Sequence, residues 1–486
     1  MWMRWVLLTA CLGCQNKVAT PAEESDIEVT DGPTFYQDVL PVVGENCQAC
    51  HNEAAPMGTA FPLESYAHVA PIAEVLLAKM QPEGDPDDDP FFMPPFYART
   101  NLECATWLDW KGTYQASQTD VALFEAWIAA GKQEGDPDTP ADFVAREVET
   151  LEGEDLVEVA FRGSYAVPAG SPGPDGYDST RCFAVEASTD GQIGLASDVW
   201  VDGFEFRPGN PQVVHHMLAY TVPDLEARLD EVVQDPASNS WDCAGGVSPV
   251  EGSVRFSDSK LVYGWVPGSQ PLNLEDGTAI RLAAGTGLVL QLHYNTISVG
   301  SDEDRSDLST MLMRLAAEPE REARIRLFGV SGASDSDAVE DPPFLVPLGA
   351  TEHVESYAEV LPDAMDTNDV RIWGVAPHMH LAGTSLKFTR TRTTGEEDCL
   401  AHVPRWDFNW QQFYVYEGGF NDWPRLGSGE SLRVSCTFDN SEENIFLERY
   451  LDGPVADGME LGESTSEEMC LIAVGLACDG MCPSGI

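Results

Sequence analysis

From about residue 150 to the C-terminus the chain is written in short apolar runs broken by Gly, Pro, Asn and Asp. Examples are "LVYGWV" (261–266), "GLVLQLHYNT" (287–296), "VRIWGVAPHMHLAG" (370–383) and "SLRVSCTF" (431–438). Runs of this kind predict strands, and a long succession of them predicts antiparallel sheets packed face to face. At roughly 150 residues per domain, the 486 residues allow several cores. The β-rich part is long enough for two jelly-roll-like sandwiches, 145–322 and 323–486, with a join near the polar "EPEREAR" (318–324). The segment before them, 33–135, reads differently. From "TFYQDVLPVV" (34–43) to "TDVALFEAWIAAG" (119–131) apolar residues recur at helical spacing, and Gly131 fits a helix stop. "EGDPDTP" (134–140) is a linker, and 15–32 a polar tether. The expected fold is therefore multidomain: a small, mainly α domain followed by two antiparallel β-sandwiches.

Acidic residues outnumber basic ones by 81 to 27, for a formal charge of -54. A surface of that sign repels phosphate, which excludes nucleic acid and anionic membrane surfaces as partners. The acidic runs "EGDPDDDP" (83–90) and "SDSDAVED" (334–341) lack an ordered spacing of calcium ligands and read as solvated loops. At the N-terminus, "MWMRWVLLTAC" places Arg4 before a short apolar stretch, the pattern of an export signal (1–14) rather than a membrane span. Leu8-Thr9-Ala10-Cys11 resembles a bacterial lipoprotein cleavage box, which implies an outer-membrane lipid anchor on Cys11; simple secretion is the alternative. Either route takes the chain to the periplasm or cell surface of a bacterium, where thiols pair. Apart from Cys11, Cys14, Cys47 and Cys50, eight of the twelve cysteines remain, an even number whose connectivity spacing leaves open.

"ENCQACHNE" (45–53) contains Cys47-x-x-Cys50-His51, the pattern of covalent haem attachment, with two thioethers to the porphyrin and His51 on iron. A CxxC disulfide and half a zinc site are the competing readings. Met93, in "FFMPPFYAR" (91–99), is the candidate second axial ligand; the alternative is a packing methionine. A Met-His pair raises the haem potential and suits electron transfer. The segment resembles c-type cytochrome domains fused to bacterial exported proteins, which commonly carry Met-Pro-Pro after the CxxCH. That resemblance implies a cytochrome c-like domain with one c-type haem. His68 has no such context.

Five of the nine histidines fall in three β-like contexts: His215-His216 in "PQVVHHMLAY", His293 in "LQLHYN", and His378-Met379-His380 in "APHMHLAG". On a strand, residues i and i+2 share a face, so His378 and His380 can meet one ion while Met379 points away. Adjacent His215 and His216 point to opposite faces unless the strand is distorted or different ring nitrogens are used. Any one of these histidines alone reads as a satisfied core residue. Together they supply nitrogen ligands for two sites. Three imidazoles suit copper or zinc, and two imidazoles with a thioether favour copper. Met469, in "GESTSEEMCLI" (462–472), is the candidate thioether.

This order of His-His, Gln-x-His-Tyr, His-x-His-x-x-Gly and Glu-Met-Cys resembles the ascorbate-dependent type II copper monooxygenases, such as peptidylglycine α-hydroxylating monooxygenase and dopamine β-hydroxylase. The resemblance covers roughly residues 150–486. It implies two copper ions: an electron-transfer copper on His215, His216 and His293, and an oxygen-binding copper on His378, His380 and Met469. It also implies Gln291 near the first site and a Cys436–Cys470 disulfide that fixes the methionine loop; Cys182–Cys243 is a further candidate pair. The implied reaction hydroxylates a C–H bond of a small organic substrate with O2 and two electrons. The electrons would come from ascorbate, another reductant or a redox donor protein, relayed through the fused haem. The family arginine and tyrosine that anchor a peptide carboxylate are here Ala376 and Ala473, and an expected asparagine is Leu471, which removes a C-terminal glycine peptide from the expected substrates. Trp265 and the aromatic "RWDFNWQQFY" (405–414) read as core, and His353 and His402 have no ligand role. The alternative function is a haem- and copper-binding electron-transfer or copper-handling lipoprotein that hydroxylates nothing.

Overall fold

A computed structural model describes residues 32–48, 51–52, 62–80, 98, 104, 109–111, 116–143, 150–170, 177–186, 193–330 apart from 245, 268, 275–276, 297–298 and 301–303, and 344–483 apart from 367, 409 and 463. Both acidic runs, Cys11, Cys50 and Met93 lie outside the described residues.

The described N-terminal residues form short helices, among them Leu40–Asn46, Ala73–Met80 and Gln118–Ala129. The last opens on a capping box between Ser117 and Asp120 and stops at Gly131, whose φ of 84° suits a residue without a Cβ. Phe35, Val39, Val43, Val69, Phe124 and Trp127 bury their side chains together as a small core separate from the main one. A cytochrome c-like domain is not evident in these helices.

The remainder is β-sheet. A nine-stranded sheet runs in the order Leu156–Ala160, Thr310–Ala316, Val199–Arg207, Thr278–Leu282, Arg321–Val330, Cys470–Asp479, Arg371–His378 and Tyr414–Val415, with Leu272–Asn273 paired off to the side. Its first half is faced by a five-stranded sheet: Ser240–Asp242, Asp178–Val185, Thr286–Asn295, Val214–Pro223 and Lys260–Trp265. Its second half is faced by four strands: His353–Val360, Ser431–Phe438, Gly383–Thr391 and Glu397–Val403. Phe204 stacks on Tyr263 at 5.1 Å in the first layer pair, and Phe328 meets Tyr357 at 5.1 Å and Phe388 at 5.7 Å in the second. Two sandwiches thus share one sheet. The seam is Arg321–Val330, which pairs in parallel with Thr278–Leu282 at its start and antiparallel with Cys470–Asp479 along its length.

Residues 98, 104 and 109–111 pack with this β body rather than with the helices. Cys104 is bonded to Cys399, 295 residues away. Trp110 stacks on Tyr416 at 4.4 Å, and the Lys111 amide donates to the Val415 carbonyl at 2.8 Å, extending the edge of the large sheet. Sequence spacing offered no hint of this staple.

Candidate metal centre

His293 lies in Thr286–Asn295 and the histidine doublet in Val214–Pro223, neighbours in the five-stranded sheet. His216 stands opposite His293, but Val214 stands opposite Tyr294. His215 is therefore the extra residue of a β-bulge, two residues facing one. The bulge supplies the distortion that two adjacent histidines need in order to turn to one side. His215 Nδ1 and His216 Nδ1 are 3.2 Å apart, and His216 Nδ1 and His293 Nδ1 are 3.4 Å apart. Ligand nitrogens of all three lie within 4.8 Å of one another. Nitrogens at about 2.0 Å from a tetrahedral ion are separated by about 3.3 Å, so the cluster has the dimensions of a metal tripod.

Its chemistry fits an ion as well. The Nε2–H of His293 donates to Asp178 Oδ1 at 2.9 Å, which leaves Nδ1 with its lone pair facing the cluster. Asp178 is itself held by Asn295 Nδ2 at 2.8 Å. His215 Nε2 is buried without a hydrogen-bond partner, an atom a ligand would satisfy. Burial pushes His215 down to about 3 and His216 well below the usual imidazole range. Both rings stay neutral, the form that binds metal.

In the second sandwich His378 ends the strand Arg371–His378, and its ring lies 5.1 Å from that of His380, nearly perpendicular. Each ring is oriented through Nδ1. That of His378 donates to Gln411 Oε1 at 2.7 Å, and that of His380 to the Glu467 carbonyl at 2.9 Å. Both Nε2 atoms are thereby left as acceptors. Burial pushes His378 down to about 3 and His380 to about 4.

Met469 is tied to the same place by its neighbours. Glu468 Oε2 accepts from the His380 amide at 2.8 Å and the Met469 amide at 3.2 Å, while Oε1 accepts from the Ala382 amide at 2.7 Å. Glu468 is fully buried, and desolvation raises its carboxyl to about 8 against the pull of those amides. On the other side Cys470 is bonded to Cys436 at 2.09 Å, linking the large sheet to the four-stranded one. Cys182 and Cys243 are also bonded, as are Cys478 and Cys482.

The segment 405–414 is core, but it also serves both clusters. The Trp406 indole donates to the His380 carbonyl at 3.1 Å, and Phe408 stacks on His215 at 5.3 Å. Gln411 Nε2 donates to the Phe408 carbonyl at 3.2 Å while its Oε1 holds His378. A continuous path, His215 to Phe408 to Gln411 to His378, therefore connects the two clusters. Sequence reasoning missed Asp178, Gln411 and the Glu467 carbonyl, whose partners lie many residues away. Glu468 was visible only as the first letter of Glu-Met-Cys. Gln291, on the face of His293, donates to the Gly246 carbonyl. His353 pairs with Glu355 at 2.6 Å. At the N-terminal motif the His51 amide donates to the Cys47 carbonyl at 2.9 Å.

Residues 339–474 match the family model of the copper type II ascorbate-dependent monooxygenase C-terminal domain. The matched stretch of this monooxygenase-type domain contains His378, His380 and Met469; the three-histidine cluster precedes it. Among solved structures, the chain is similar to the major capsid protein P2 of bacteriophage PM2 at 11% identity, covering 68% of this chain and 100% of that one with a TM-score of 0.24. The VP2 subviral particle of infectious bursal disease virus matches at 10% identity over 68% and 73% of the two chains, TM-score 0.18. PNGF-II matches at 8% identity over 67% and 65%, TM-score 0.25. Likenesses at these scores carry no argument.

Proposed function

We propose that this chain is a copper-dependent monooxygenase that inserts one atom of O2 into a C–H bond of a small organic substrate. The balance is RH + O2 + 2 e⁻ + 2 H⁺ to ROH + H2O, the electrons coming from ascorbate or a donor of similar potential. The observation that carries this reading is the pair of partly buried histidine clusters with oriented rings, one of them inside the matched domain. His215, His216 and His293 would hold one copper, and His378, His380 and Met469 the other. When bound, copper supplies one-electron redox chemistry and activation of O2.

The chain's own residues set the conditions. Asp178, Gln411 and the Glu467 carbonyl fix the ring tautomers, so no proton must leave an imidazole before it ligates. Glu468 holds the His380 and Met469 backbones to one carboxylate oxygen, which keeps thioether and imidazole in register. Phe408 and Gln411 would join two loaded clusters by a packed route of side chains.

Cys47, Cys50, His51 and Met93 would hold a c-type haem that passes electrons inward, on an exported chain anchored through Cys11. In protein reconstituted with copper and freed of loosely bound metal, about two ions per chain are expected, falling to about one in His380→Ala. A value unchanged by that substitution would remove the second site. For the haem, Cys47→Ser/Cys50→Ser should slow turnover with external donors; an unchanged rate with every reductant excludes the relay.

A further inference from the structure

The bulge at His215 has to be held open. A bulged residue gives up ladder hydrogen bonds, and the same stretch in regular pairing would send His215 and His216 to opposite faces. Two supports of the cluster, the turn that leads into the bulge and the strand end beside His293, converge on one carboxylate. Asp307 lies in the two-residue strand Ser306–Asp307, paired with Tyr165–Ala166, and is fully buried, as are Tyr294 and Ser309. Its Oδ2 accepts from the Tyr294 hydroxyl at 2.8 Å and its Oδ1 from the Asn210 amide at 2.9 Å. The Ser309 hydroxyl donates to the same carboxylate at 2.9 Å and accepts from the Gly209 amide at 3.1 Å.

Each anchored group sits close to a ligand in the chain. Tyr294 follows His293 and stands opposite Val214, the residue before His215. Neighbouring residues of a strand face opposite ways, so Tyr294 holds its strand from behind the His293 ring. The Asn210 carbonyl accepts from the Val213 and Val214 amides at 3.2 Å each, and the Val213 carbonyl accepts from the Asn295 amide at 2.8 Å. At Gly209 a Cβ would lie 2.5 Å from the Leu308 backbone, so the turn rests directly on the segment that bears Asp307. One side chain thereby fixes the approach to His215 and the departure from His293.

We propose that Asp307 is a positioning residue for the three-histidine cluster and sets the spacing of its imidazoles through Tyr294 and Asn210. A buried carboxylate is costly unless its partners satisfy it, and a buried polar network that is satisfied gives direction and rigidity that an apolar cluster does not. Here that rigidity spans both strands that carry the ligands. Metal affinity follows from ligands held in place before the ion arrives. The identity of the ion rests on the copper reading above; the latch on the two strands does not.

The test reads Cu(II) in the full chain carrying His380→Ala, so that the first cluster alone is loaded. Tyr294→Phe and Asp307→Asn nearly preserve side-chain volume. Each should weaken Cu(II) in chelator competition by about 10-fold or more and shift the copper hyperfine splitting in the EPR spectrum. Ile280→Ala, in the large sheet, is the control for lost stability. It should lower resistance to denaturant at least as much and leave both copper readings unchanged. Unchanged copper readings in either latch variant, an equal change in Ile280→Ala, or no copper at the cluster in the parent chain overturns the inference. Changed copper readings in a chain that hydroxylates nothing sink only the monooxygenase reading. Hydroxylation with copper indifferent to the latch variants sinks only this inference.

Discussion

At the scale of single residues, the groups that decide the site are those that point ligands rather than those that ligate. Asp178 is the clearest case. By accepting the Nε2–H of His293 it presents Nδ1 to the cluster, and the Asn295 amide holds the carboxylate in place. Removing such an outer partner typically lowers metal affinity about 10- to 100-fold. Asp178→Ala should therefore weaken copper at the three-histidine cluster by that factor, measured by competition with a chelator, and leave the His378/His380 cluster untouched. Equal affinity in the variant would assign Asp178 a packing role only. The ligand histidines were legible in the sequence because imidazole is an uncommon side chain in an apolar run. Asp178 was not, since nothing near it in the chain distinguishes it from the other acidic residues.

At the scale of elements, strand geometry carries the chemistry. The bulge at His215 brings adjacent rings to one side, whereas His378 closes its strand and His380 lies just past it, so the expected i, i+2 strand face does not extend to His380 although the two rings stand 5.1 Å apart. The alternation of "LQLHYN" made a strand readable locally, while "APHMHLAG" spans a strand end and a turn. The register that places His216 opposite His293 depends on pairing two strands about eighty residues apart, which local pattern cannot specify. The Cys436–Cys470 bond belongs to this scale because it fastens the Met469 end of one strand to a strand of the facing sheet. Closing a loop with a sequence separation of 34 constrains the unfolded chain, a contribution of about 3–4 kcal/mol in the chain-entropy account. Cys436→Ser/Cys470→Ser should lower stability to denaturant by about that much and weaken copper at the second cluster before the first. A variant of wild-type stability would show that packing alone positions Met469.

At the scale of the whole molecule, the N-terminal part is fastened to the sandwich that holds His378 and His380. The Cys104–Cys399 bond and the stacking of Trp110 on Tyr416 make that attachment. Residues 134–140 are exposed, so a glutamate-specific protease should cut there after Glu134. The two pieces should run as one band without reductant and as two with it; separation under non-reducing conditions would contradict the cross-link. The sequence by itself determined the β texture, the short N-terminal helices and the residue types of the two histidine clusters. All of these are written in neighbouring residues. Only the tertiary structure decided that the sandwiches share one sheet, which cysteines pair, and which acid and amide orient the rings. Each of those depends on contacts between segments far apart in the chain, where the free energy comes from register and burial rather than local pattern.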